Sequence, residues 1–282
     1  MKFAKYHGLG NKYIVLKPEP SATPLSQSMI RAICHVHFGV GSDGILWGPV
    51  PSETCDFGLK IYNPDGSDAE KSGNGLRIFA RFLLDSGLVG FAPFTVETMG
   101  GPVTCLIEKG ENKIEVAMGQ VLFDSLQVPV VGDPREVLNE VMAVNGRSFT
   151  FSAATLGNPH CVVMLDTPPS PTLAKTVGPF IENSPLFPHR TNVQFLYVEN
   201  QENIQIEIWE RGAGYTLASG SSSVAATAVA HRLGLCNQKV TVHMPGGTLS
   251  VTLDEHFYAT LKGPVIKICE GIISPELFTT TR

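Results

Sequence analysis

Ser72-Gly73-Asn74-Gly75-Leu76 opens a run that closes at Gly87-Leu88, and Ser219-Gly220-Ser221-Ser222 opens another that closes at Gly234-Leu235. Counterparts stand 147 positions apart, as 72 stands before 219. The same shift pairs Leu9-Gly10-Asn11 with Leu156-Gly157-Asn158, and Ile61-Tyr62 with Ile208-Trp209. Several anchors at one shift read as two equivalent halves that would share one cleft. Inside each run, Leu76–Asp85 is apolar nearly all round, and Val224–Leu233 is Ala-rich and lightly charged. A helix apolar on most faces is a core helix, and Gly87 and Gly234 stand where a left-handed residue would end it.

Around these helices lie many short apolar runs punctuated by 28 glycines and 20 prolines. Tyr13–Leu16, Ile45–Trp47, Phe57–Tyr62, Phe94–Glu97, Lys113–Ala117, Cys161–Leu165, Val193–Val198, Ile204–Trp209, Val240–His243, Leu249–Leu253 and Val265–Cys269 read as strands. Ile204, Ile206 and Ile208 alternate with Gln205 and Glu207, the period of a strand with one solvated face. Ser28–Val36 and Pro134–Val144 read as peripheral helices. The expected class is α+β: two pseudo-symmetric domains, each a mixed, barrel-like sheet curled around a central helix. The N-terminal half covers 1–120 and the C-terminal half 121–264, with a boundary near Gly119–Val128. The last strand, within 265–282, is expected to return to the first domain.

Hydrophobic residues make up 43% of the chain and charged residues 17%, which describes a folded globular protein. A net charge of −5 gives no basic patch for nucleic acid. Met1–Gly8 has no apolar signal-peptide core, and no run approaches the ~20 apolar residues of a membrane span. A cytoplasmic protein without a membrane partner is expected. Cys34, Cys55, Cys105, Cys161, Cys236 and Cys269 are scattered without a Cys-x-x-Cys pair, so they are expected to be reduced and mostly buried, with no zinc or dithiol site. His35-Val36-His37 lacks a suitably spaced third ligand, so no metal is expected.

Gly39-Val40-Gly41-Ser42-Asp43-Gly44 matches a dinucleotide fingerprint on paper, but that loop needs a strand before it and a helix after it. Ile45-Leu46-Trp47 and then Gly48-Pro49 follow, so a simple turn is the better reading. Ala218-Ser219-Gly220-Ser221 lacks the glycines of a nucleophile elbow. The two Ser-Gly pairs could be helix caps and no more, because serine is a favoured N-cap. Against that stand their equivalence in the repeat and the polar residues around them: Asn63, Asp65, Asn74, Glu210 and Arg211.

A helix start offers unpaired N–H groups and the positive end of a dipole. Two such starts directed at one spot would hold a carboxylate, and the residue at each cap would flank the adjacent carbon. One flanking group can remove the α-proton while the other returns a proton to the opposite face. That is two-base racemisation, needing no cofactor if fixed dipoles stabilise the enolate. Serine is the weak point: a helix N-terminus can lower a cysteine pKa to as little as ~3.5, but an alcohol starts far higher.

These motifs together resemble the diaminopimelate epimerase family over essentially the whole length. The residues carrying the resemblance are His7-Gly8-Leu9-Gly10-Asn11, Gly39–Gly44, Asn63-Pro64-Asp65-Gly66-Ser67, Gly73-Asn74-Gly75-Leu76-Arg77, Gly157-Asn158-Pro159-His160, Arg190-Thr191-Asn192-Val193 and Glu210-Arg211-Gly212-Ala213-Gly214. The resemblance implies a pyridoxal-independent, cofactor-free isomerase of lysine and cell-wall synthesis acting on a small amino-acid substrate, and suggests a homodimer. It implies substrate contacts from Asn11, Asn63, Asn158, Asn192, Glu210 and Arg211, several of them at the distal end. It implies that the backbone of Gly73, Asn74, Gly220 and Ser221 holds the reacting carboxylate, and that His160 and Glu210 tune the two catalytic groups. Family members carry cysteine where this chain has Ser72 and Ser219, and these serines take the catalytic places. Tyr215, Ser222 and Val224 depart further, which favours a natural divergent paralogue over a protein inactivated by replacing both cysteines, an alternative that explains only Ser72 and Ser219. Two alternatives follow: a racemase of another amino acid such as histidine, toward which an aromatic Tyr215 at a pocket rim would point, and a catalytically silent amino-acid-binding protein.

Overall fold

The computed structural model describes residues 1–19, 23–110 and 112–279. The chain forms two compact units, Met1–Val116 with the segment from Gly263 onward, and Ala117–Lys262. Helices α1 (Gln27–Cys34) and α2 (Gly73–Asp85) belong to the first, and α3 (Pro171–Glu182) and α4 (Gly220–Arg232) to the second. None of the described helices is long and apolar enough to cross a membrane.

In the first unit Ile266–Ile272 pairs antiparallel with Lys2–Gly8, which forms a hairpin with Asn11–Leu16. Asn11–Leu16 runs parallel to Ile45–Val50, which pairs antiparallel with Phe57–Tyr62. Phe57–Tyr62 also runs parallel to Phe94–Thr98, and two further antiparallel steps lead through Gly101–Ile107 to Lys113–Gln120. The second unit repeats this sequence of steps. It passes through Glu140–Val144, Arg147–Thr155, Pro159–Leu165, Asn192–Asn200, Asn203–Glu210, Lys239–Met244, Gly247–Leu253 and Tyr258–Pro264, with parallel pairings at the same two steps. α2 packs on Lys2–Gly8 near one end of its sheet and on Gly101–Ile107 near the other. α4 packs on Arg147–Thr155 and on Gly247–Leu253 in the same way. A sheet whose two ends touch one helix must curl around it.

Both central helices are buried as their composition requires. Leu76, Ile78, Phe79, Ala80 and Leu83 have no exposed surface, nor do Val224, Ala225, Ala226, Ala228, Val229 and Ala230. Their ends match bond for bond. Leu88 N donates to Leu83 O at 2.9 Å and Gly87 N to Leu84 O at 3.0 Å; Leu235 N donates to Ala230 O and Gly234 N to His231 O, each at 2.9 Å. Gly87 at φ +68° and Gly234 at φ +73° supply the left-handed residue of this closing motif.

Pro134–Val144 is not a helix. Asn139 has φ +52°, which breaks any helical run, and Glu140–Val144 forms a hairpin with Arg147–Thr155. Asn145 and Gly146, at φ +50° and +74°, make the tight turn that Asn-Gly favours. Met142 and Val144 then alternate into the core, a strand period that wins over the helical spacing of Val137, Leu138 and Val141. Conversely, α3 forms across Pro171, Gly178 and Pro179, residues that discourage a helix. Pro171 sits in the first turn, where its missing N–H is harmless. A Cβ on Gly178 would lie 2.6 Å from Trp209 Cβ, so the glycine lets that indole lie on the helix. Glu207 is also not solvated: it is buried and its Oε2 accepts the Tyr215 hydroxyl at 2.8 Å.

Candidate active site

In the first unit Ser72 is the N-cap of α2, extended at φ −142° and ψ 115°. Its Oγ accepts Gly75 N–H at 3.0 Å and shares a hydrogen bond with Tyr13 Oη at 3.2 Å. Beside it runs a relay of amides. Arg77 Nη2 donates to Asn74 Oδ1 at 2.8 Å, and Asn74 Nδ2 donates to Asn11 Oδ1 at 3.1 Å. An arginine has no acceptor. It therefore forces Asn74 to offer its nitrogen, and Asn74 in turn fixes Asn11 with its own nitrogen free to donate. Asn11 Nδ2 reaches Asp43 Oδ2 at 3.4 Å, and the same carboxylate oxygen accepts Lys12 N–H at 2.7 Å. Gly39–Gly44 is thus an irregular loop between α1 and a strand that clamps the Asn11 turn, with no dinucleotide-binding helix behind it.

Arg77 is fully buried; among the described residues it bonds only neutral oxygens, Gly73 O at 3.3 Å and Asn74 Oδ1, and its Nε has no partner. Burial lowers its pKa to about 10, which still leaves a cation at neutral pH. A buried guanidinium with no carboxylate partner among the described residues, on a helix whose positive end lies one turn away, makes this region favourable to an anion. Asn63 stands apart from this relay, with its Nδ2 donating to Ser67 Oγ at 3.0 Å in the turn after Phe57–Tyr62.

The second unit builds the same frame with different chemistry. Ser219, buried at 5% exposure, caps α4 with φ −142° and ψ 128°, and its Oγ accepts Ser222 N–H at 3.4 Å. Asn158 Nδ2 reaches Ser221 Oγ at 3.5 Å, the counterpart of the Asn74–Asn11 bond at the same shift of 147. Asn158 Oδ1 lies 3.1 Å from His160 Nε2. His160 is fully buried, which pushes its pKa down to about 3; the neighbouring Gln194 amide opposes the shift and the Arg211 charge adds to it. Its Nδ1 has no hydrogen-bond partner among the described residues. Gln194 Nε2 donates to Ser222 Oγ at 3.0 Å, which gives the buried Ser222 hydroxyl its role.

Asn192 joins Pro159 O, to which its Nδ2 donates at 2.9 Å, and Arg211 N–H, which donates to its Oδ1 at 3.0 Å. The next amide, Gly212 N–H, donates to Glu182 Oε1 at 2.9 Å. Buried Glu182 also accepts Trp209 Nε1–H at 2.7 Å and Arg190 Nη1 at 3.0 Å. The turn after Glu210 is therefore held by two side chains, Arg190 is neutralised, and the exposed Arg211 guanidinium donates only to His189 O at 3.2 Å among the described residues. Arg211 thus has no carboxylate partner among the described residues. Tyr215 is committed to Glu207, and Lys175 Nζ lies 4.5 Å above its ring. Burial, then the bond to Glu207, raise its pKa to about 12. Two surface hollows, of about 260 Å³ beside Arg81 and Phe91 and about 350 Å³ beside Gln120 and Arg232, include neither serine.

Tyr13, Arg77, Glu182 and Gln194 are given no functional role by the sequence alone. One of them carries a signal: Tyr13 stands 147 positions before His160, each two residues after an asparagine of the repeat.

The fold is that of known racemases and epimerases. A hydroxyproline epimerase from Agrobacterium vitis, solved with trans-4-hydroxy-L-proline, superposes with a TM-score of 0.72 at 15% identity, covering 96% of this chain and 90% of that one. A probable proline racemase from Agrobacterium radiobacter gives 0.70 at 14% identity, with 99% and 94% covered. At such identities the likeness establishes the fold alone. Sequence relatives go further. The diaminopimelate epimerase model matches residues 3–123 and 152–268. Diaminopimelate epimerase 2 of Nostoc sp. is 53% identical over 278 residues, 99% of this chain and 97% of its own length. The diaminopimelate epimerase of Moorella thermoacetica is 37% identical, with 96% and 98% covered. The chain belongs to the diaminopimelate epimerase family and is an isomerase.

Proposed function

We propose that this protein inverts the Cα centre of diaminopimelate, interconverting the LL and meso forms without a cofactor, with Ser72 and Ser219 as the two acid/base groups. The observation that carries this reading is the duplicate cap: each serine is an extended N-cap residue of a 13-residue core helix and presents Oγ at its positive end. The backbone N–H groups of Gly73, Asn74, Gly220 and Ser221 hold the carboxylate of the reacting centre, the place where negative charge grows as the enolate forms. One serine, as its alkoxide, takes the α-proton and becomes a hydroxyl while the C–H electron pair passes into the enolate. The other serine gives its proton to the opposite face of the same carbon, and both reset through solvent. Asn11, Asn63, Asn158, Asn192, Glu210 and Arg211 bind the substrate, with Arg211 taking the distal carboxylate. His160 and Glu210 tune the paired hydroxyls, His160 as a neutral ring. Because an alcohol is a far weaker acid than a thiol, turnover is slow relative to a cysteine pair.

A second reading is a binding protein that holds a diamino acid without inverting it. It is supported by the use of both Oγ atoms as cap acceptors, which is all a structural serine needs. Incubation in D₂O with LL- and meso-diaminopimelate and with single amino acids, histidine included, separates the readings. α-Deuterium in diaminopimelate alone supports the epimerase, and α-deuterium in another amino acid moves the substrate. Tight binding of diaminopimelate with no deuterium in any of them supports the silent protein.

A further inference from the structure

We propose that Tyr13 acts through Ser72 as its proton-relay partner, so that the first unit's acid/base group is a serine–tyrosine couple rather than a lone alcohol. The inference rests on the proposed function and deepens it. Its basis is the 3.2 Å contact between Tyr13 Oη and Ser72 Oγ, made while Ser72 also accepts the Gly75 amide. Tyr13 is firmly placed: it is 7% exposed and faces Tyr6 across the hairpin. Its ring also fills the space beside Gly44, where a Cβ would come within 2.5 Å of Tyr13 Cε1. The repeat gives each unit an ionisable side chain at this position, Tyr13 in one and His160 in the other.

The couple answers the objection that an alcohol is too weak an acid. A phenol, with an ordinary pKa near ~10, carries negative charge more readily than a serine oxygen. As Ser72 gives its hydroxyl proton to the enolate carbon, Tyr13 gives its own to Ser72 Oγ. A C–H and a Ser O–H bond form, the Ser O–H and Tyr O–H bonds break, and the charge ends on the phenolate. Abstraction runs the same steps backward, and solvent restores the resting state. The positive end of α2, which Ser72 caps, favours the anionic form.

The test is a double-mutant cycle on α-deuterium incorporation into LL- and meso-diaminopimelate, using wild type, Y13F, S72C and Y13F/S72C, with S72C/S219C alongside. Circular dichroism and calorimetric binding of diaminopimelate check that each variant is folded. A thiol needs no phenol to ionise, so the two substitutions should couple. Y13F is expected to lower exchange about a hundredfold with Ser72 in place, and less than about tenfold in the S72C protein. Equal losses in both backgrounds, or no loss with Ser72, overturn the relay and leave Tyr13 a packing residue. Exchange absent from wild type but present in S72C or S72C/S219C also overturns it, while leaving the site assignment standing. Exchange absent from every protein overturns the proposed function and the relay with it.

Discussion

His160 should make this protein lose stability on mild acidification, by an amount the structure sets. The ring is fully buried, with a pKa of about 3 against an ordinary value near 6.5, and burial is the main cause. The unfolded chain therefore takes up a proton at this site as pH falls through ~6.5, while the folded protein stays neutral until near pH 3. More protons bound to the unfolded state means that stability falls with pH across that window, by about 1.4 kcal/mol per unit once the unfolded ring is fully titrated. Between pH 7 and pH 5 the loss from this one group is about 2 kcal/mol. Urea unfolding at both pH values, for wild type and His160→Gln, isolates it. The substitution carries its own destabilisation at pH 7, but the difference between the two pH values should shrink by about 2 kcal/mol. An unchanged difference would show that His160 titrates normally in the folded state, and the dry, neutral ring beside Asn158 and Gln194 would be wrong.

Two further outcomes follow from the same geometry. Glu182→Gln turns an NH₂ toward either Trp209 Nε1–H or Gly212 N–H, since its amide has only one acceptor. It should cost about 1–3 kcal/mol in thermal or urea unfolding and weaken calorimetric diaminopimelate binding through the loosened Arg211 turn; unchanged binding would remove Glu182 from the site. Gly87→Ala and Gly234→Ala should each cost about 1–2 kcal/mol, because neither Cβ would meet an atom within 4 Å and only the left-handed backbone is strained. Clearly unequal urea midpoints would contradict the matched helix ends.

How much could be read from the chain depended on whether the signal was local. Ser72 and Ser219, the glycines at 87 and 234 and the apolar faces between them are all local, and α2 and α4 follow from them. α3 was hidden because Gly178 answers to the Trp209 side chain rather than to helix propensity. The hairpin at Asn145-Gly146 had a local signature, but the helical spacing of Val137, Leu138 and Val141 obscured it. Within the site, Asn11, Asn74, Asn158 and His160 are linked by bonds inside their units. Glu182 and Gln194 sit far along the chain from the residues they brace and show no pattern of their own. Tyr13 was legible only through its equivalence to His160.

The central claim is that Ser72 and Ser219 stand in the places of two proton-transfer groups. Replacing both by cysteine and following α-deuterium in diaminopimelate by mass spectrometry tests it most directly. Exchange is expected to rise by at least about a hundredfold over wild type, because helix ends that leave an alcohol largely protonated can ionise a thiol. A folded, substrate-binding S72C/S219C protein whose exchange stays at the enzyme-free rate would contradict it.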